Sequence, residues 1–173
     1  MNASQIHLAL NHVPLFFSVA GGLILVYGFI RKADSVKLLS LYFMIIAALF
    51  TIPVYLTGEG AEETVEELPG VSESIIGRHE QMAQLGLIVI IIAGILALGA
   101  LLIKKKPALL KTSLLVCTFL SFLSFGVMAK TAHLGGQIRH SEIRHGAVSS
   151  TEKEDTENQN DEASRKAGER DDD

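Results

Sequence analysis

Six histidines are spread along a chain whose sequence is otherwise dominated by Leu, Ile, Val, Phe and Ala, and four of them, His7, His12, His79 and His133, border or enter long apolar runs. Imidazole nitrogens are good ligands for iron, copper and zinc. The stretch "AHLGGQIRH" (Ala132 to His140) sets two of the six seven residues apart, with a glycine pair between them. The lone cysteine, Cys117, lies inside an apolar run, so there is no disulfide, no cysteine pair for a metal and no C-x-x-C-H for covalent haem attachment. Any cofactor must therefore be held without a thiolate motif. No catalytic triad, phosphate loop or carboxylate dyad is present, which argues against a hydrolase.

The elements that would position these histidines follow from composition. The chain has 173 residues, 49% of them hydrophobic, with a mean hydropathy of +0.35, too apolar for an ordinary soluble domain of this length. Val13 to Ile30, Leu38 to Thr57, Leu85 to Ile103 and Thr112 to Ala129 contain no charged residue. Each is about long enough to cross a hydrocarbon layer of roughly 30 Å at about 1.5 Å per residue. Only helices or closed barrels satisfy the backbone in lipid, so four spans with short connections predict an all-α, integral membrane, up-down-up-down four-helix bundle. A cleavable signal peptide is not expected, because the first run lacks a basic start and a small-residue cleavage site.

Arg31, Lys32 and Lys37 lie between the first two runs, and Lys104, Lys105, Lys106 and Lys111 between the last two. The positive-inside rule places both loops in the cytoplasm. The N-terminus, the loop from Gly58 to Arg78 and the C-terminus are then periplasmic, in a bacterial inner membrane. Residues 1–142 read as the membrane domain and 143–173 as a disordered acidic tail. From Ser141 onward there are eleven Asp or Glu against five Lys or Arg, with few large apolar residues. No basic patch for nucleic acid appears; membrane lipid is the expected surrounding.

Depth now groups the histidines. Counting outward from the basic loops, His12 lies about 28 Å above Arg31, His7 about 36 Å above it, His79 about 38 Å above Lys104 and His133 about 33 Å above Lys111. All four converge on the outer edge of the membrane. His140 and His145 lie further out and read as solvated. Any one of the four, taken alone, is more simply an interfacial residue bonded to a carbonyl or water. Four at one level in so small a bundle read as a site. Small residues appear placed for close helix approach: Gly21 and Gly22, then Gly86, Gly94 and Gly99, then Ser121, Ser124 and Gly126. Ala83 and Gly86 below His79, and Gly126 below His133, would leave room for a flat macrocycle.

Histidines without cysteines or a compact zinc motif suit bis-histidine haem b, one or two per chain. His12 and His79, on diagonal helices, are the first axial pair expected. His133 is the next, as an alternative ligand or in a second haem with His7. Arg78, Lys130 and Arg139 are at the level of haem propionates. The expected activity is electron transfer near the periplasmic face, from quinol to a periplasmic acceptor, with c-type cytochromes or respiratory complex subunits as partners. Tyr55 and Thr57 are candidates to line a quinone pocket. A histidine-based copper or zinc binding or transport protein is the first alternative, and a cofactor-free assembly subunit the second. "TGEGAEE" (Thr57 to Glu63) reads as a helix stop followed by a solvated acidic loop, which could face a basic partner or form a proton exit. "GVSES" (Gly70 to Ser74) reads as a helix start capped by Ser72 or Ser74. Pro14 fits a first helical turn.

"HLALNHVP" (His7 to Pro14) resembles the opening H-P-x-x-x-H-F-P of an uncharacterised family of bacterial four-span membrane proteins, a domain of unknown function. Thr57-Gly58, His79 at the head of the third span and "AHLGGQIRHSEIRHG" are also similar to that family, whose last span ends in A-H-L-G-G. The likeness covers residues 6–146, and the HLGG element is its most specific part. Leu8 stands where the family has proline, and the segment after HLGG is more polar. The resemblance implies the four-span fold and the equivalence of His7, His12, His79 and His133, and no settled activity.

Overall fold

A computed structural model describes residues 2–66 and 71–140, except the side chain of Arg139. The chain divides into one compact unit of residues 1–138 and a second of 139–173, of which only 139 and 140 are described. The expected acidic tail, with His145, therefore lies outside the described residues.

The helices are α1 (Ala3–Leu10), α2 (His12–Ile30), α3 (Asp34–Leu56), α4 (Gly58–Glu66), α5 (Glu73–Leu102) and α6 (Pro107–Arg139), all but the last residue of α6 in the first unit. Four are long and apolar enough to cross a membrane, counting α1 and α2 as one 28-residue path. The charge-free runs mark the lipid-facing lengths rather than the helix ends. Thus α5 begins twelve residues before Leu85, because Arg78, Glu80 and Gln84 are compatible with a helix outside the apolar layer. Phe16, Leu23, Ile30, Ile88, Ile95 and Phe119 point outward, each more than half exposed, as apolar side chains bathed in lipid do.

α3 lies along α2 and α5. α6 closes the ring against both: a Cβ on Gly22 would meet Ser121, and one on Gly86 would meet Met128. Ser121 Oγ also donates to the Ser18 carbonyl across this contact. The order around the bundle is α2, α3, α5, α6, with α2 diagonal to α5. Leu25, Leu41, Met44, Ala93, Ala97, Ala100, Leu114 and Cys117 form a buried core in the half nearest the basic loops. Gly94 packs so closely on Ala48 that no side chain would fit between them.

Several expected local features differ. Gly99 and Gly126 face open space rather than a neighbouring helix. The room expected beneath His79 at Gly86 is taken by the Met128 thioether, whose sulfur would be 2.8 Å from an added Cβ. Gly58–Glu66 is helical rather than a loop: Thr57 does end α3, but Ala61 N–H bonds back to the Thr57 carbonyl and starts a new helix rich in Glu. Ser72 is the N-cap of α5, yet its hydroxyl pairs with Ser74 Oγ at 3.1 Å and caps no backbone N–H.

The α2–α3 turn closes with two reversed bonds, Lys32 N–H to the Phe29 carbonyl and Ala33 N–H to the Gly28 carbonyl. This is a helix stop that places Lys32 in the left-handed region at φ 51°. A side chain there costs about 1 kcal/mol. Lys32→Gly is expected to stabilise the fold by about 0.5–1 kcal/mol, read from the midpoint of detergent-induced unfolding.

Candidate functional site

Depth gathers four histidines, and helical phase separates them. On α6 the buried positions Ser121, Ser124, Met128, Thr131 and Ile138 run in alternating steps of three and four, with Gly135 on the same line. His133 is off that line and exposed, its Nε2 3.2 Å from Gln137 Nε2 one turn on. The inward line of α2 is Pro14, Ser18, Gly21, Leu25 and Gly28. Continued upward by steps of three and four it passes through Asn11 and His7. His12 is exposed and stacks on Phe16, itself 60% exposed, with ring centroids 6.3 Å apart. On α5, Ile76, Gly86, Ile90, Ala93, Ala97 and Ala100 are buried, and His79 falls in their line, half-buried.

The structure therefore turns His7 and His79 inward, with His12 and His133 on the outer surface. His7 Nδ1 is 2.9 Å from the Val54 carbonyl oxygen of α3. His79 Nδ1 is 2.9 Å from the Thr131 carbonyl oxygen of α6. A carbonyl only accepts, so each Nδ1 is the donor, and in the neutral ring Nε2 is then the nitrogen that carries the lone pair. The same second bond orients metal-ligating histidines and raises their basicity. His7 and His79 each continue the inward line of their helix path at this end of the bundle.

Each bond has a local cause. Pro53 and Val54 are in the last turn of α3, where backbone N–H partners run out: the Pro53 carbonyl still takes the Thr57 N–H at 3.1 Å, and the Val54 carbonyl is met by side chains. Thr57 Oγ1 takes the Pro53 carbonyl at 2.8 Å and shares the Val54 carbonyl, at 3.1 Å, with His7. The Thr131 carbonyl lies within α6 and uses a second lone pair for His79. His79 can approach only because residue 135 is glycine: an added Cβ would lie 3.1 Å from His79 Cε1 and 3.3 Å from Nδ1. The neighbouring Gly136 faces open space. The first glycine of the HLGG element is thus the berth of the imidazole on the other helix, and a histidine–glycine partnership across 56 positions was not anticipated from the sequence. The three-and-four line through Ser121, Ser124 and Thr131 is the signal that could have shown it.

Asn11, one turn from His7, has a buried Oδ1 with no hydrogen-bond partner among the described residues. Arg78 and Lys130 are exposed, each adjacent in sequence to a member of the His79–Thr131 pair; the side chain of Arg139 lies outside the described residues. Tyr55 lines an apolar groove of about 440 Å³ with Ile52, Leu56, Leu87, Ile88, Ile91 and Ile92, on the outer flank of α3 and α5. Among the described residues, no group of three or more His, Cys, Asp or Glu side chains is placed to hold a metal ion.

Above the histidines, α4 sets Glu62 in a partly dehydrated position near Glu80, Glu66 and Glu59. Desolvation first, and then the repulsion of those carboxylates, raises its pKa above the ordinary 4.5. No family profile, curated protein or solved structure matches the chain.

Two measurements check this geometry. Gly135→Ala is expected to displace the His79 ring, shift its imidazole 15N resonances and cost about 1 kcal/mol through the weakened bond to Thr131. Gly136→Ala, in open space within the same helix, is expected to leave those resonances unchanged and to be neutral or slightly stabilising. For Glu62, a proton bound more tightly in the folded chain favours the fold at acid pH, and that contribution is lost as pH rises through the raised folded value. Its carboxyl 13C titration is expected above 4.5, moving back toward 4.5 in Glu80→Gln while burial keeps it from returning fully.

Proposed function

We propose that this chain is a b-type cytochrome of the bacterial inner membrane, with both termini periplasmic, carrying electrons near the outer face from quinol to a periplasmic acceptor or c-type cytochrome partner. The observation that carries this is the pair His7 and His79: two inward imidazoles on separate helices, each with Nδ1 held by a carbonyl of a further helix, which leaves Nε2 as the ligating nitrogen of the neutral ring.

The donor set fits haem better than zinc. A porphyrin brings four nitrogens of its own and asks the protein for two axial ligands, whereas a structural zinc asks for four. Two imidazoles, with no third His, Cys, Asp or Glu grouped with them among the described residues, meet the first requirement. Bound between His7 and His79, haem would supply a one-electron couple with no open coordination position.

The chain's own residues do the rest. The Val54 and Thr131 carbonyls hold the two rings by Nδ1 and make Nε2 more basic, which favours the higher charge state of a bound metal. Gly135 sets how closely α5 approaches α6 at His79. The buried Asn11 Oδ1 is an acceptor for a donor group at the same level. Arg78 and Lys130 supply positive charge for propionates at the rim. His12 and His133, on outer faces, suit contact with headgroups or a second haem rather than the central pair. The Tyr55 groove is a candidate seat for a quinol tail.

Copper or zinc handling through the same histidines is the alternative, and it needs further donors brought from outside the central pair. The two carbonyl bonds would also serve a cofactor-free assembly subunit simply by stapling α1 to α3 and α5 to α6.

Protein purified from haem-replete cells is expected to show a reduced-minus-oxidised α band of the b type, with one haem per chain by pyridine haemochrome. His7→Ala and His79→Ala are expected to lose it, and His12→Ala and His133→Ala to retain it. A colourless wild type, or a band that survives both inward substitutions, overturns the assignment; bound copper or zinc in colourless protein would establish the alternative.

A further inference from the structure

We propose that α1 and α4 form a hinged clasp at the outer end of the bundle, which swings His7 to and from His79 and so opens and closes the paired-imidazole site. The inference rests on His7 and His79 being that site, and it concerns how an occupant gets in.

The hinge is at Asn11. α1 stops at Leu10 and α2 starts at His12, with Asn11 as C-cap of the first and N-cap of the second. Pro14 has no N–H to offer the Leu10 carbonyl four residues earlier, so the hydrogen-bond ladder is interrupted where the two helices meet. The packing changes at the same point. Below it, α2 buries Pro14, Ser18, Gly21, Gly22, Leu25 and Gly28; above it, α1 buries no residue, and neither does α4.

What holds α1 is a short set of polar and edge contacts. Ser4 Oγ lies 2.7 Å from Thr64 Oγ1 and donates to the Gly60 carbonyl at 3.2 Å. Ala3 lies against Gly60, where an added Cβ would come within 2.6 Å of it. His7 is tied to the Val54 carbonyl. Breaking these exposes little apolar surface, so opening costs little compared with separating the spans. The spans themselves are locked by glycine contacts at Ser121 and Ala48 and by Met128 filling the space at Gly86. Glu62 on α4 and Glu80 on α5, close enough to repel, add no bond that would hold the clasp down. The loosest part of the bundle is thus the part that carries one of the two imidazoles.

The test is a removable lock. Ser4→Cys with Thr64→Cys, in a Cys117→Ala background and full-length protein in detergent, places two thiols where the hydroxyls now touch. Diethyl pyrocarbonate, which acylates unprotonated imidazole, is the probe, with peptide mass spectrometry giving the rate at each histidine. Oxidation is expected to slow acylation of His7 and His79 about tenfold, with reduction restoring it, while the exposed His12 and His133 react at unchanged rates. In the opposite direction, Gly60→Leu pushes on Ala3 and is expected to speed His7 and His79, whereas Gly77→Leu, in open space, leaves them as they were. Equal rates at His7 and His79 in locked and unlocked protein, or no acceleration by Gly60→Leu, overturn the clasp. Haemin uptake followed in parallel separates the two ideas: clasp-dependent acylation without a haem band keeps the clasp and removes the cytochrome, and a haem band with clasp-independent acylation does the reverse.

Discussion

A polar group packed between helices has little water to fall back on, and the hydrogen bond from His79 Nδ1 to the Thr131 carbonyl is where this constraint shapes the histidine end of the bundle most. An imidazole turned toward a neighbouring helix must give its N–H to something. The nearest acceptors are backbone carbonyls, and most already belong to a helix ladder. The chain supplies one carbonyl at a helix end, Val54, and one with a spare lone pair facing a glycine, Thr131. Both bonds cross from one helix to another, so the rings register α1 on α3 and α5 on α6 while their Nε2 atoms stay uncommitted.

The two halves of the bundle answer different demands. Near the basic loops, alanines, leucines, Met44 and Cys117 fill most of the interior, the buried Ser40 hydroxyl is returned to the Lys37 carbonyl of its own helix, and Gly28 lets Lys37 lie directly on α2. Further out, the interior becomes hydroxylated: Ser18, Ser121, Ser124 and Thr131 are all buried, three of them bonded to carbonyls and Ser124 Oγ without a partner among the described residues. The apolar half fixes how the helices cross. The polar half tolerates side chains that carry function, because its packing already includes hydrogen bonds that only one arrangement satisfies.

Carbonyl-bonded imidazoles serve a staple and a ligand equally well, which is why the pair alone defines geometry before it defines chemistry. The arrangement goes beyond a staple in two respects. Both rings belong to the same end of the bundle, and Asn11, one helical turn from His7, has a buried Oδ1 without a partner among the described residues, which a carbonyl staple alone does not require.

The amino-acid sequence by itself determined the all-α membrane class and the four spans, and it grouped His7, His12, His79 and His133 by their distance from the basic loops. These depend on composition and on distance along a helix axis, which is a fixed rise per residue. It also held, unread, the three-and-four line of small and polar residues that marks the inward face of α6. The acidic stretch after Thr57 reads as a loop because charge resembles solvation, and it is helical because its four glutamates are good helix formers with the Thr57 carbonyl to start from. Which histidines face one another was left to the tertiary structure. Rotation of a helix about its axis costs nothing until neighbours are present, and only the contacts of Gly22 with Ser121, Gly86 with Met128 and Gly135 with His79 set the phases that turn His7 and His79 inward and leave His12 and His133 outside.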